Sequence, residues 1–268
     1  MTFNIYMEGK VSREDDFYFL RLFHEYGASV SALPYQYQWH DKRLQQVREL
    51  IPATVFENTS NQFELQKKLM FWVNRSLLSG EAPPVRPMNT VEILKSRRLR
   101  ETRSTCWTYA VVLNEVYLSF GFRSRVIRCL PMDLRPMDCH CMTIVFSDLY
   151  NKWVAFDAAM GTYYTDAEKC PLDVQEIRQI LLEGKSLCMP YVPRSTSVNL
   201  RWYLCKNMIR FCTYQESTFN IEEPERDRTL YMLNPVRYRM TDKVVPEGEH
   251  CLFIKNVYSD TDFWNVFS

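Results

Sequence analysis

The sequence of 268 residues predicts an α+β fold. Three observations point there. Apolar residues recur at helical spacing through the first third, strand-like runs take over in the middle, and helical spacing returns at 173–183. The composition, 46% hydrophobic and 24% charged, is that of a chain able to bury a core without disulfides. No repeat, low-complexity segment or convincing linker interrupts it. A single domain over 1–268 is therefore expected, with a core at about 60–165, a helical N-terminal extension 1–59, and a helical and β C-terminal extension 166–268.

The elements follow in order. Residues 39–51 place Leu44, Val47 and Ile51 at helical spacing before Pro52. Residues 62–78 align Leu65, Leu69, Trp72, Val73 and Leu77 on one face, with Asn61 as N-cap. A proline-rich loop at 81–87 leads to Asn89, which caps a short helix at 89–98. Residues 106–120 offer Ala110, Val111, Leu113, Val116 and Tyr117 for packing, and Gly121 stands where a left-handed cap belongs. Strand candidates 123–130, 140–146 and 152–157 come next, with a loop at 131–136 and a turn at 147–151. Helices are read at 173–183, closed by Gly184, and at 200–212. Two short β-like runs, 229–233 and 251–257, end the chain.

Charge and motif exclude several functions. The 33 basic and 32 acidic residues leave a net charge of +1, with no basic excess to neutralise phosphates. No G-x-G-x-x-G, P-loop or calcium loop is present. Nine cysteines without C-x-x-C pairs suit a reducing compartment. The first twenty residues carry no apolar signal core, and no stretch is long enough to cross a membrane. A cytoplasmic protein without nucleic-acid or membrane partners is expected.

One constellation carries chemistry. A nucleophilic cysteine needs a lowered pKa, a base within reach and a group that orients the base. Cys106 is predicted at a helix N-terminus, where free N–H groups favour thiolate. His140 and Asp157 fall on the two strands of one hairpin. A four-residue loop, 148–151, pairs Ser147 with Lys152 and sets His140 opposite position 159. Asp157, two residues away, then shares a face with His140. A two-residue loop keeps the shared face, and an odd loop or a bulge destroys it.

TCWTYAVVLNEVY at 105–117, followed by LSFGFRSRVIRC, resembles the cysteine-helix segment of the transglutaminase-like superfamily. DCHCMTIVFSDLYNKWVAFD at 138–157 is similar to its histidine–strand–tryptophan–aspartate segment. The likeness spans roughly 65–185, and the stretch through EIRQILLEG resembles bacterial members. It implies a papain-like fold, the cysteine helix packed on an antiparallel sheet, extra helices at both ends, and Cys106, His140 and Asp157 as a triad. Members transfer an acyl group through a thioester to water or to an amine, without a cofactor. Ser104–Thr105 and Ala158–Ala159 depart from the pattern before the cysteine and after the aspartate. The oxyanion donors implied are the Cys106 backbone N–H and an upstream side chain, for which Trp72 is a candidate.

Other features remain open at this stage. Trp107 either lines the acyl site or packs behind its helix. Lys95, Arg97, Arg98, Arg100 and Arg103 form either a rim for acidic substrates or a solvated helix end balanced by Glu92 and Glu101. Cys139, His140 and Cys141 alternate faces and lack tetrahedral spacing, so no metal is expected. The partner expected is a peptide, protein or small amide. The competing reading is a non-catalytic binding or scaffold protein that keeps the fold.

Overall fold

The computed structural model describes residues 13–81, 83–100, 102–132, 139–191 and 200–265. The chain runs α1 (Arg13–Leu22), β1 (Gln36–Tyr37), α2 (Arg43–Glu49), α3 (Ala53–Phe56), α4 (Gln62–Ser76), β2 (Leu78–Ser79), α5 (Thr90–Arg100) and β3 (Arg103–Ser104). Then come α6 (Cys106–Ser119), β4 (Ser124–Leu130), β5 (His140–Ser147), β6 (Lys152–Asp157), β7 (Thr162–Tyr163) and α7 (Val174–Leu182). It closes with α8 (Leu200–Asn207), β8 (Arg210–Tyr214), β9 (Glu216–Ser217), β10 (Arg228–Leu233), β11 (Lys243–Glu247), β12 (His250–Val257) and α9 (Asp260–Phe263).

The architecture is α+β. Among the described residues, eight strands form one sheet in the order β11-β12-β10-β8-β4-β5-β6-β7. Every pairing in it is antiparallel except β10 with β12. The expected antiparallel sheet is corrected at that one pairing, because β12 returns to β10 only after the intervening β11 has reversed the chain.

Helices cover both faces, so the central strands carry apolar residues on both sides. Cys141 and Val145 of β5 join a core with α2, α4, α5 and α6, whereas Met142, Ile144 and Phe146 join one with α7 and α8. All eight residues of β5 are buried. Helix α6 is buried almost throughout, including Glu115, whose carboxylate accepts the backbone N–H groups of Thr90 (2.7 Å) and Asn220 (2.8 Å).

Several local expectations hold. Asn61 accepts the Glu64 N–H at 2.9 Å, and Asn89 accepts that of Glu92 at 3.0 Å. Gly121 has φ +77°, the left-handed value that ends α6. The helix read at 173–183 is α7, and the structure adds a capping box of Asp173 and Glu176 at its start. The helix read over 200–212 is corrected: it stops at Asn207, and Arg210–Tyr214 is β8, bonded to β4 on one side and β10 on the other. Positions 133–136 of the loop read at 131–136 lie outside the described residues, as do Glu101 and the Arg100 side chain.

Candidate active site

The approach to Cys106 is fixed by pairing. Ser104 is buried in β3 and paired in parallel with Ser79 of β2, while the Gly80 N–H donates to its carbonyl. Thr105 then takes the N-cap position in extended conformation, without a side-chain cap bond. The first turn of α6 holds no acidic residue, so the positive end of the helix stays uncompensated beside the thiol. Cys106 itself is 5% exposed.

The hairpin register is the one that the four-residue loop predicts, with Ser147 opposite Lys152 and Thr143 opposite Phe156. It brings His140 Nε2 to 2.6 Å from Asp157 Oδ2, and both side chains are 0% exposed. Asp157 Oδ1 also accepts the Met160 N–H at 3.0 Å, and Oδ2 the Tyr164 hydroxyl at 3.0 Å. The turn beyond is pinned by Asn74 of α4, whose amide donates to the Ala158 carbonyl at 2.8 Å. Gly161 has φ +66° and lies so close to Asn74 that a Cβ there would come within 2.9 Å of it.

With Nε2 engaged, Nδ1 is the nitrogen left for Cys106, and among the described residues it has no hydrogen-bond partner. The thiol and the ring interact, and each alters the other's proton affinity. Burial works against a charged imidazole, but the Asp157 carboxylate and the Cys106 sulfur outweigh it and raise the His140 pKa to about 10. The Cys106 pKa is drawn well below the usual thiol value. Hydrogen bonds from the Cys139 and Cys141 thiols are the largest cause, burial opposes them, and His140 assists. A thiolate beside an imidazolium is the arrangement these groups favour.

Sequence reasoning missed three contributors. Tyr164 reaches Asp157 from the loop after β7. Tyr203 of α8 packs edge-on to the His140 ring (centroids 5.2 Å apart) and donates to the Cys139 carbonyl at 3.1 Å. That carbonyl also faces Cys106 Sγ at 3.8 Å. The third contributor is the thiol pair of Cys139 and Cys141. Strand alternation does separate them from His140, and it turns them toward α6 and therefore toward Cys106. The tyrosine contacts join segments far apart in the chain or loops of irregular shape, for which local spacing carries no signal.

The other predicted residues are placed as follows. Trp107 is half-buried, with the Arg128 guanidinium 3.7 Å from its ring centroid. Trp72 is half-buried on α4 and packs against the helix-side core that contains Cys106. In the basic cluster Lys95 pairs with Glu92 at 3.7 Å, and Arg103 donates to the Ser79 carbonyl.

Neither a protein family nor a curated protein matches the chain. Solved structures do. One is a candidate cysteine protease from Cytophaga hutchinsonii, with 15% identity, TM-score 0.34, and coverage of 56% of this chain and 43% of that one. Another is Rad4–Rad23 crosslinked to an undamaged DNA, with 12% identity, TM-score 0.29, and coverage of 56% and 40%. A third is red sea bream transglutaminase, with 14% identity, TM-score 0.32, and coverage of 74% and 38%. The chain spans less than half the length of each of these proteins.

Proposed function

We propose that the chain is a thiol-dependent acyl-transfer enzyme acting on an amide or peptide bond. The observation that carries this reading is the sealed bond of 2.6 Å from His140 Nε2 to Asp157 Oδ2, which leaves Nδ1 to the thiol at the start of α6. Cys106 Sγ attacks the carbonyl carbon, and His140 passes the Nδ1 proton to the departing amine. A thioester remains on Cys106. Water or a second amine attacks it, with His140 now removing the proton. Asp157 holds the ring in the tautomer and orientation that this shuttle needs. The Cys106 backbone N–H is the first oxyanion donor and Trp72 the second, with Trp107 at the acyl site. Hydrolysis is slightly favoured over transfer to an amine, because no group among the described residues of the site selects an amine over water.

A second reading, a binding protein without turnover, draws on the complete burial of His140 and Asp157. Alkylation separates the two. Iodoacetamide is applied to the full chain from pH 4 to 10, and modification of Cys106 is followed by mass spectrometry in wild type and His140→Ala. The enzyme reading expects fast alkylation well below pH ~8.5, slowed about tenfold or more in the variant. A Cys106 that behaves as an ordinary thiol and ignores His140 would hand the lead to the binding reading.

A further inference from the structure

Acyl transfer gives the two thiols beside the nucleophile no covalent role. All nine cysteines are free, and three of them converge at the start of α6. Cys106 Sγ lies 3.8 Å from the Cys139 carbonyl oxygen, which sets Cys139 beside the nucleophile. Cys106 and Cys141 belong to the same buried core, with Cys139 packed against it.

We propose that Cys106 and Cys139 form a hydroperoxide-responsive pair, in which oxidation of Cys106 is captured as a reversible Cys106–Cys139 disulfide. The proposal rests on the reading above in one respect, that Cys106 is the reactive thiolate.

The chemistry balances with a hydroperoxide as oxidant. The Cys106 thiolate attacks one peroxide oxygen, the O–O bond breaks, and the released hydroxide takes a proton to become water. Sulfur is oxidised by two electrons to sulfenic acid. The Cys139 sulfur then attacks the Cys106 sulfur, an S–S bond forms, and the hydroxyl leaves as a second water with the Cys139 proton. A small dithiol reverses the step by exchange, becoming a disulfide itself. A hydroperoxide such as hydrogen peroxide is small enough to reach a sulfur as enclosed as that of Cys106.

Cys139 is the better resolving thiol for two reasons. It precedes β5 and stands outside the ladder, held through its carbonyl by Tyr203 and Cys106 rather than by strand pairing, so it shifts toward disulfide geometry without breaking the sheet. Cys141 is locked into the ladder opposite Arg128 and is 2% exposed. Cys139 is also half-buried rather than sealed, which leaves the resulting disulfide within reach of a reductant.

The test treats the full chain with hydrogen peroxide and reads intact mass, peptide linkage and iodoacetamide reactivity. Wild type is expected to lose two hydrogens and yield a peptide joining Cys106 to Cys139. Alkylation of Cys106 should fall at least about tenfold and return with dithiothreitol. Cys139→Ser should instead carry Cys106 on to sulfinic acid, which dithiothreitol does not reverse. Cys141→Ser should keep the reversible capture. A Cys106 that alkylates fast before peroxide, yet ends as sulfinic acid or linked to Cys141 in wild type, overturns the pair and leaves the acyl-transfer reading standing. A Cys106 that is slow before peroxide and indifferent to His140→Ala defeats that reading, and the pair with it.

Discussion

Asp157 and Glu115 are both carboxylates sealed from water, yet the protein treats them differently. Asp157 meets a hydroxyl, a backbone N–H and an imidazole that can carry full charge. Glu115 meets only two backbone N–H groups at short range, and burial lifts its pKa to about 7. Burial penalises a carboxylate anion, and at Glu115 two neutral N–H groups do not offset that cost. Around Asp157 the arrangement of partners yields a carboxylate hydrogen-bonded to His140. Around Glu115 it yields a staple between α6, the start of α5 and the loop after β9.

The largest expected effect breaks the first of these. Asp157→Ala strands a buried imidazole and should cost about 3–5 kcal/mol in urea unfolding at pH 7. A loss below about 1 kcal/mol would mean that the pair does not tie β5 to β6. The second effect is a pH dependence belonging to Glu115. Its carboxyl has a folded pKa of about 7 against an ordinary 4.5, so the unfolded chain releases this proton first. Stability from this group is therefore lost as pH rises from 4.5 to 7, by about 3 kcal/mol. Glu115→Gln should remove that slope, which unfolding of both proteins at pH 5 and 7.5 would reveal. Equal slopes would refute the assignment. Tyr164→Phe should cost about 1 kcal/mol, because Asp157 keeps two of its three donors. Smallest is Asn61→Ala, about 0.5–1 kcal/mol from a lost cap on α4, with the alkylation profile of Cys106 unchanged.

The contrast also explains what was legible in the sequence. His140 and Asp157 are linked by a short loop, and period-2 alternation carries their shared face from there. The caps at Asn61 and Asn89 are equally local. Glu115 is invisible because its partners come from 25 positions before it and 105 after it. β8 was read as helix because Leu200–Asn207 and Arg210–Tyr214 form one nearly continuous buried run. Such a run fits either period until a neighbour accepts its backbone. The parallel pairing of β10 with β12 likewise depends on where β11 lays the chain. Alternation alone sets Cys139 and Cys141 on the face opposite His140, but no local spacing shows that the start of α6 faces them.

The position of β8 between β4 and β10 has a consequence for how the protein is made. During synthesis, β4, β5 and β6 emerge together and can pair at once. The outer edge of β4 must then wait for the roughly eighty residues that separate Leu130 from Arg210. For that interval a nascent strand presents unpaired N–H and C=O groups, the template on which chains stick to one another. The emerging chain therefore holds an unfinished sheet, and β8 is the strand that covers the waiting edge of β4.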